Sequence, residues 1–334
     1  MKKMMKPSSA SMVKPRNLLI SLFLLSILSL LMALKCGTVA IPLTHFYNIL
    51  WQQQNFYHQI IVLLRFPRVA TAFITGGLLA LAGVLLQVLL CNPLADPYIL
   101  GISGGAAVVT LTMMGLGMAA IWQTGGAIVG ALLAILLVFV LARSSGVWSS
   151  TRLLLIGVIV ASGFSAIISL ILTVSPDRAL HGMLFWLLGD ITYDKFPWLA
   201  LIVLLFGIFC SLLWSRQLNV FSYGEKQAKS LGVNYQKLSF KLYFLSALLT
   251  ATAVSIAGTI GFIGLIVPHM IRALGGRDHR YLIPGAVLLG GSLLTIADAV
   301  ARTVIAPEEL PVGVIIALIG APLFLYLLLR GYQR

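Results

Sequence analysis

Eight apolar stretches without a single charged residue run through this chain, at 18–34, 69–95, 97–142, 153–176, 196–215, 242–271, 281–297 and 310–329. A helix crossing a bilayer needs roughly 20 consecutive apolar residues, because the lipid interior leaves no partner for an unpaired backbone group. Two of the stretches are long enough for two spans each. The first breaks between Gly115 and Gly126, the second at Gly258-Thr259-Ile260-Gly261. The pattern therefore predicts an all-α polytopic membrane protein of about ten helices. Composition agrees, with 60% hydrophobic and 10% charged residues and a mean hydropathy of +1.02, far from the usual soluble domain.

The charge of +14 is explained by topology. With ten spans and both termini in the cytoplasm, 17 of the 23 Lys and Arg residues fall on the inner side. Six remain outside: Lys35, Arg65, Arg68, Arg178, Lys195 and Arg302. That asymmetry obeys the positive-inside rule and needs no nucleic acid as partner. Residues 1–17 read as a basic cytoplasmic tail and 18–330 as one transmembrane domain. The tail and first span resemble a secretory signal only superficially, since Ala33-Leu34-Lys35 is a poor cleavage site. Cys36, Cys91 and Cys210 are too scattered for a disulfide framework or a metal site.

Prolines at 93, 97, 268, 284 and 322 interrupt segments at membrane depth, as expected where irregular backbone lines a watery passage. In the fifth span, Ser162, Ser165, Ser169 and Thr173 share one helical face. They line either a translocation pathway or a packed surface on which each hydroxyl bonds back to its own helix. No ladder of acids or histidines crosses the membrane. Asp298 is the one candidate for ion coupling, and Arg302, one turn on, is placed to pair with it. Neither His269 nor Met113, Met114 and Met118 forms a recognisable ligand set, so no metal site is expected.

Four segments carry a specific resemblance. They are Arg65-Phe66-Pro67-Arg68 followed by Asn92-Pro93-Leu94-Ala95-Asp96-Pro97; Gly261-Phe262-Ile263-Gly264 continued to Pro268-His269-Met270-Ile271-Arg272; Asp298 to Arg302 with Glu309-Leu310-Pro311-Val312-Gly313; and the charged island Gly224-Glu225-Lys226-Gln227-Ala228-Lys229-Ser230-Leu231-Gly232. Together, over residues 60–330, the chain resembles the FecCD/BtuC-type permease subunits of ABC importers for ferric siderophores, haem or cobalamin.

The resemblance implies a type II ABC importer permease fold working as a dimer, most simply a homodimer, in the cytoplasmic membrane. It also implies two separate ATPase subunits holding ATP and Mg, and a periplasmic or surface substrate-binding protein. No G-x-x-x-x-G-K-[ST] occurs in this chain, so it carries neither cofactor nor ATPase chemistry of its own. Within the cytoplasmic segment 216–241, Gly224, Glu225, Ala228, Leu231 and Gly232 would contact the ATPase, with Ala228 and Leu231 forming an apolar edge. Gly232 suits a left-handed helix end. Arg65, Arg68 and Arg302 would receive acidic residues of the binding protein. Residues 143–152, with Ser149, Ser150 and Thr151, would form an inner gate. An ion-coupled secondary carrier is the rival class. An intramembrane serine protease built on Gly101-Ile102-Ser103-Gly104 with His269 as base is a more distant one.

Overall fold

The computed structural model describes residues 14–37, 56–144, 149–191 and 195–331, and every regular element among them is helical. Six helices are long and apolar enough to span a membrane on length and composition. They are α1 (Pro15–Lys35), α2 (Phe66–Leu89, entered through a π-helical turn over Ile60–Arg65), α4 (Ala120–Arg143), α5 (Ser150–Val174), α10 (Tyr235–Ala257) and α12 (His279–Ala301). A seventh span is the pair α7 (Trp198–Leu213) and α8 (Ser215–Phe221), bent by 66°. Three shorter apolar helices, α3 (Ile102–Gly115), α11 (Ile263–Ala273) and α13 (Val312–Gly331), complete the expected ten. Four further helical elements lie outside that set: the single turns Phe56–Gln59 and Pro97–Leu100, α6 (Asp177–Leu188) and the six-residue α9 (Glu225–Ser230).

Helix α2 is the axis of the fold. From Val69 onward nearly all its residues are buried, and it packs against α10, α11 and α12. Close approach is permitted by paired glycines, since a Cβ on Gly76 would overlap the Gly290 carbonyl of α12, and one on Gly83 the Gly264 carbonyl of α11. Helices α3 and α4 cross in the same way through Gly105 and Gly130. With lipid as solvent the hydrophobic effect does not drive helices together, so these backbone contacts supply dispersion that larger residues would forfeit. The expected breaks are where the sequence put them: residues 116–119 divide α3 from α4, and Gly258 to Phe262 divide α10 from α11.

Helix α5 is the outlier, with only Leu153 and Gly157 buried. It lies at the edge of the bundle, against α3 and α4, with most of its surface uncovered.

Candidate functional site

The break between α10 and α11 is where four parts of the chain meet. Gly258 has φ 65° and Phe262 φ 68°, both left-handed. A side chain on residue 258 would also overlap the Trp186 carbonyl. Several polar groups at the break are engaged across the gap. Thr259 Oγ1 donates to the Leu187 carbonyl and the Asp190 N–H to the Ala257 carbonyl at 3.1 Å. The Val312 N–H reaches the Gly189 carbonyl at 3.0 Å, and the Ile260 N–H donates to the Tyr98 hydroxyl at 2.9 Å. Irregular backbone at this depth persists because it is satisfied internally and borders a cavity.

That cavity, about 830 Å³, is walled by the start of α3, the middle of α5, the end of α6, the 259–262 break and α13. Its surface is mostly apolar, with Tyr98, Ser103, Ser165 and Thr259 supplying hydroxyls. Among the described residues no three His, Cys, Asp or Glu side chains converge as a metal-ligand group. The chemistry offered is shape, apolar contact and a few hydrogen bonds.

Of the hydroxyl stripe on α5, only Ser165 reaches this wall. Ser162, Ser169 and Thr173 are exposed and donate to the carbonyls of Val158, Ser165 and Ser169 at 3.0, 3.0 and 2.8 Å. Ala161 and Ile168 are the other α5 positions on the cavity, so the lining face is rotated from the hydroxyl stripe. Tyr98, Thr259 and Phe262 were not singled out from the sequence. The signal was available in the Gly258 to Gly261 break, since a helix interrupted at membrane depth has to border something wet. Ser103 lies in the cavity wall, whereas His269 packs edge-on against Phe324 at 6.1 Å between ring centres. This gives no support to a serine nucleophile with a histidine base.

At one end of α2 the three arginines singled out from the sequence come together. Arg65 Nη1 donates to the Leu34 and Lys35 carbonyls at 3.0 and 2.9 Å. Arg302 reaches the carbonyls of Ala33 and Cys36, both at 3.4 Å. Two cations thus cap the negative end of α1. Arg68 is bound by Asp298 at 3.1 Å and by Glu309 at 2.8 Å, and Asp298 also pairs with Arg302 at 3.0 Å. Arg65 and Arg302 are buried, and Arg68 is the most accessible of the three at 16%.

At the opposite end, α9 protrudes between Gly224 (φ 97°) and Gly232 (φ 78°), so the left-handed closure expected at Gly232 is present. The expected Ala228 and Leu231 edge is not. Ala228 is fully buried in the same core as Phe221 and Tyr235, because α9 is one and a half turns long and turns its only small apolar residue toward the body. The outward apolar groups are Leu231 and Tyr223, at 67% and 75% exposure. Glu225 is exposed and pairs with Lys229 at 2.7 Å. Nearby, Asp278 caps α12 by accepting from the Arg280 N–H and also takes the Asn219 amide, both at 2.9 Å. Burial pushes the Asp278 carboxyl up, but those hydrogen bonds and the Arg280 charge outweigh it and hold it below the ordinary value.

In the expected inner gate, Ser149 is the cap residue of α5 and Ser150 and Thr151 its first turn. Arg152 donates to Ser144 Oγ at 2.9 Å. Residues 145–148 of that segment, like residues 1–13 of the basic tail, lie outside the described residues.

Comparison with known proteins agrees with this geometry. The model of the FecCD transport family matches residues 23–330. The chain is 38% identical over 328 residues to the uncharacterized ABC transporter permease protein YvrB of Bacillus subtilis (strain 168), covering 91% of each. It is 37% identical over 336 residues to the hemin transport system permease protein HmuU of Yersinia pestis, covering 96% of this chain and 98% of that one. A solved ABC transporter described as metal-chelate type, in an inward-facing conformation, has a TM-score of 0.83 at 33% identity, covering 94% of this chain and 99% of that chain. An apolar helical bundle with six or seven membrane-length spans and a cavity at its broken helices, matched to one family over nearly its whole length, is a polytopic ABC importer permease belonging to the FecCD transport family.

Proposed function

We propose that this chain is the membrane-spanning half of an ATP-driven importer that moves an iron chelate, a ferric siderophore, across the cytoplasmic membrane with both its termini inside. The observation that carries the cargo reading is the cavity. About 830 Å³ of apolar, glycine- and hydroxyl-lined space suits a bulky organic chelate that already satisfies its metal. A bare cation would need carboxylate, imidazole or thiolate ligands, and the wall offers hydroxyls. The similarity to a hemin permease and to a metal-chelate transporter points the same way. The hemin permease also makes haem the second cargo to test.

In this reading a second copy packs on the open wall formed by α5, completing the passage. Two ATPase subunits engage the end bearing α9, and a loaded binding protein docks at the arginine end. Closure of the ATPases moves α9 and changes which side the cavity faces, with no covalent chemistry in this chain.

The test is reconstitution into liposomes with its partner ATPase and binding protein, and ATP on the ATPase side. Ferric hydroxamate uptake that requires ATP and the binding protein is expected. Uptake of haem or cobalamin instead would move the cargo assignment within the family. Accumulation driven by an ion gradient without any ATPase would refute the importer reading.

A further inference from the structure

One buried polar side chain ties the two ends of this machinery together. Gln87 lies in the last turn of α2 and is 4% exposed. Its Nε2 faces three backbone carbonyls, those of Leu265 at 3.2 Å, Gly264 at 3.3 Å and Ala95 at 3.4 Å. Its Oε1 accepts from both terminal nitrogens of Arg272, Nη1 at 2.9 Å. The amide orientation is fixed by these partners, since the reverse would set oxygen against carbonyls and NH2 against a guanidinium.

The carbonyls are not arbitrary ones. Pro268 sits inside α11 and has no N–H to offer the Gly264 carbonyl four residues back. Gln87 supplies that missing donor from another helix and takes the adjacent Leu265 carbonyl as well. Gly83, one turn earlier on α2, is where the two backbones come into contact. Helix α11 is therefore held at the carbonyl that its proline leaves without a donor.

On one side of this contact, Phe262 is the cap residue before α11 and lies in the cavity wall two residues before Gly264. On the other side, Cys91 follows α2 in a left-handed conformation (φ 47°), with its Sγ donating to the Phe221 carbonyl at 4.0 Å. Tyr235 stacks on Phe221 with ring centres 4.3 Å apart and planes within 5°. These two rings bracket α9 in sequence and belong to the core that buries Ala228. From α9 to the cavity wall the route is continuous through packed groups.

We propose that Gln87 is a positioning residue that passes movement of α9, through the Phe221, Tyr235 and Cys91 contact, to the first turn of α11 at Gly264 and Leu265 and so to Phe262 at the cavity. The inference rests on the importer reading. It requires the Gln87 amide donors, and neither side-chain volume nor the contact with Arg272 substitutes for them.

The experiment uses the full complex in liposomes and compares wild type with Gln87→Met and Gln87→Glu, the second keeping an acceptor for Arg272. Uptake of iron-loaded hydroxamate, haem or cobalamin, whichever the wild type accumulates, is measured per ATP hydrolysed. Both variants are expected to assemble and hydrolyse ATP at near the wild-type rate, with uptake per ATP lowered about tenfold. Adding Pro268→Ala to Gln87→Met restores a donor to Gly264 and is expected to raise the melting temperature while leaving uptake per ATP low. Recovery of uptake together with melting temperature would reduce Gln87 to a structural hydrogen-bond donor and overturn the proposal, as would wild-type uptake in either single variant. A wild-type complex that accumulates none of the three cargoes with ATP would instead sink the importer reading, and this linkage with it.

Discussion

Asp298 and Arg302 lie one helical turn apart on α12, with Oδ2 3.0 Å from Nε and both side chains almost fully buried. Arg68 enters from α2 to share the same carboxylate. One anion thus stands between two guanidiniums, and its removal leaves at least Arg302 buried without a counter-charge. Breaking a buried pair from one side costs about 3–5 kcal/mol, whereas replacing both partners by apolar residues is often neutral. Asp298→Ala is expected to lower thermal stability in detergent sharply, and Asp298→Leu with Arg302→Met much less. Equal losses from the single and double variants would show that the charge pairing is not what matters there.

The same cluster changes what a docking experiment should target. Arg65 and Arg302 are occupied with the carbonyl end of α1, so charge reversal at either should damage the fold. Arg68 is more accessible, and one of its partners, Glu309, is itself 41% exposed. A carboxylate of the binding protein can compete with Glu309 for it. Arg68→Gln, which removes the charge without adding a third carboxylate beside Asp298 and Glu309, is expected to slow association with the binding protein by roughly threefold at low ionic strength, with the difference shrinking as salt screens the charges. An association rate unchanged at low salt would remove Arg68 from the interface.

The helical spans and both internal breaks were legible in the sequence because hydropathy is a local property, and Gly258 or Gly115 marks a break wherever it falls. The turn-spaced Asp298 and Arg302 pair was legible for the same reason. Arg68 joining it was not, since 230 residues separate it from Asp298 and only the crossing of α2 and α12 brings them together. The α5 stripe shows the other limit. Periodicity placed Ser162, Ser165, Ser169 and Thr173 on one face, but which face meets the cavity depends on how α5 leans on its neighbours. Gln87 had no signal at all, because its partners are backbone carbonyls and an arginine 185 residues away.

Ala228 gives a prediction that differs from the one its sequence context suggests. A bulky residue there has no room in the core formed with Phe221 and Tyr235 and should displace α9 as a whole. Leu231 and Tyr223 are the outward groups, so Leu231→Asp and Tyr223→Asp are expected to leave melting temperature nearly unchanged while weakening co-purification with the ATPase. Glu225→Gln loses an exposed pair with Lys229, worth about 0.5 kcal/mol, without adding a like charge. Any larger effect on ATP-driven uptake would then report a contact with the ATPase rather than a loss of fold. Undiminished co-purification of both aspartate variants would place the ATPase contact elsewhere.

Asp278 supplies the pH dependence. Its carboxylate caps α12 and holds the Asn219 amide, and its pKa is depressed from the ordinary 3.8. The unfolded chain therefore binds this proton more readily than the folded one, so stability rises with pH through this window. The contribution is fully present above the ordinary value and is lost as pH falls through the lower, folded value. Asp278→Asn keeps a capping oxygen but removes the charge. Its melting temperature should lie below wild type by a constant gap from pH 7 down to about 5, and the gap should close on further acidification. Loss of a cap altogether, in Asp278→Ala, should cost about 1 kcal/mol more. A gap between wild type and Asp278→Asn that persists undiminished at pH 3, below the ordinary carboxylate value, would show that the charge contributes nothing and that hydrogen-bond geometry alone makes this junction.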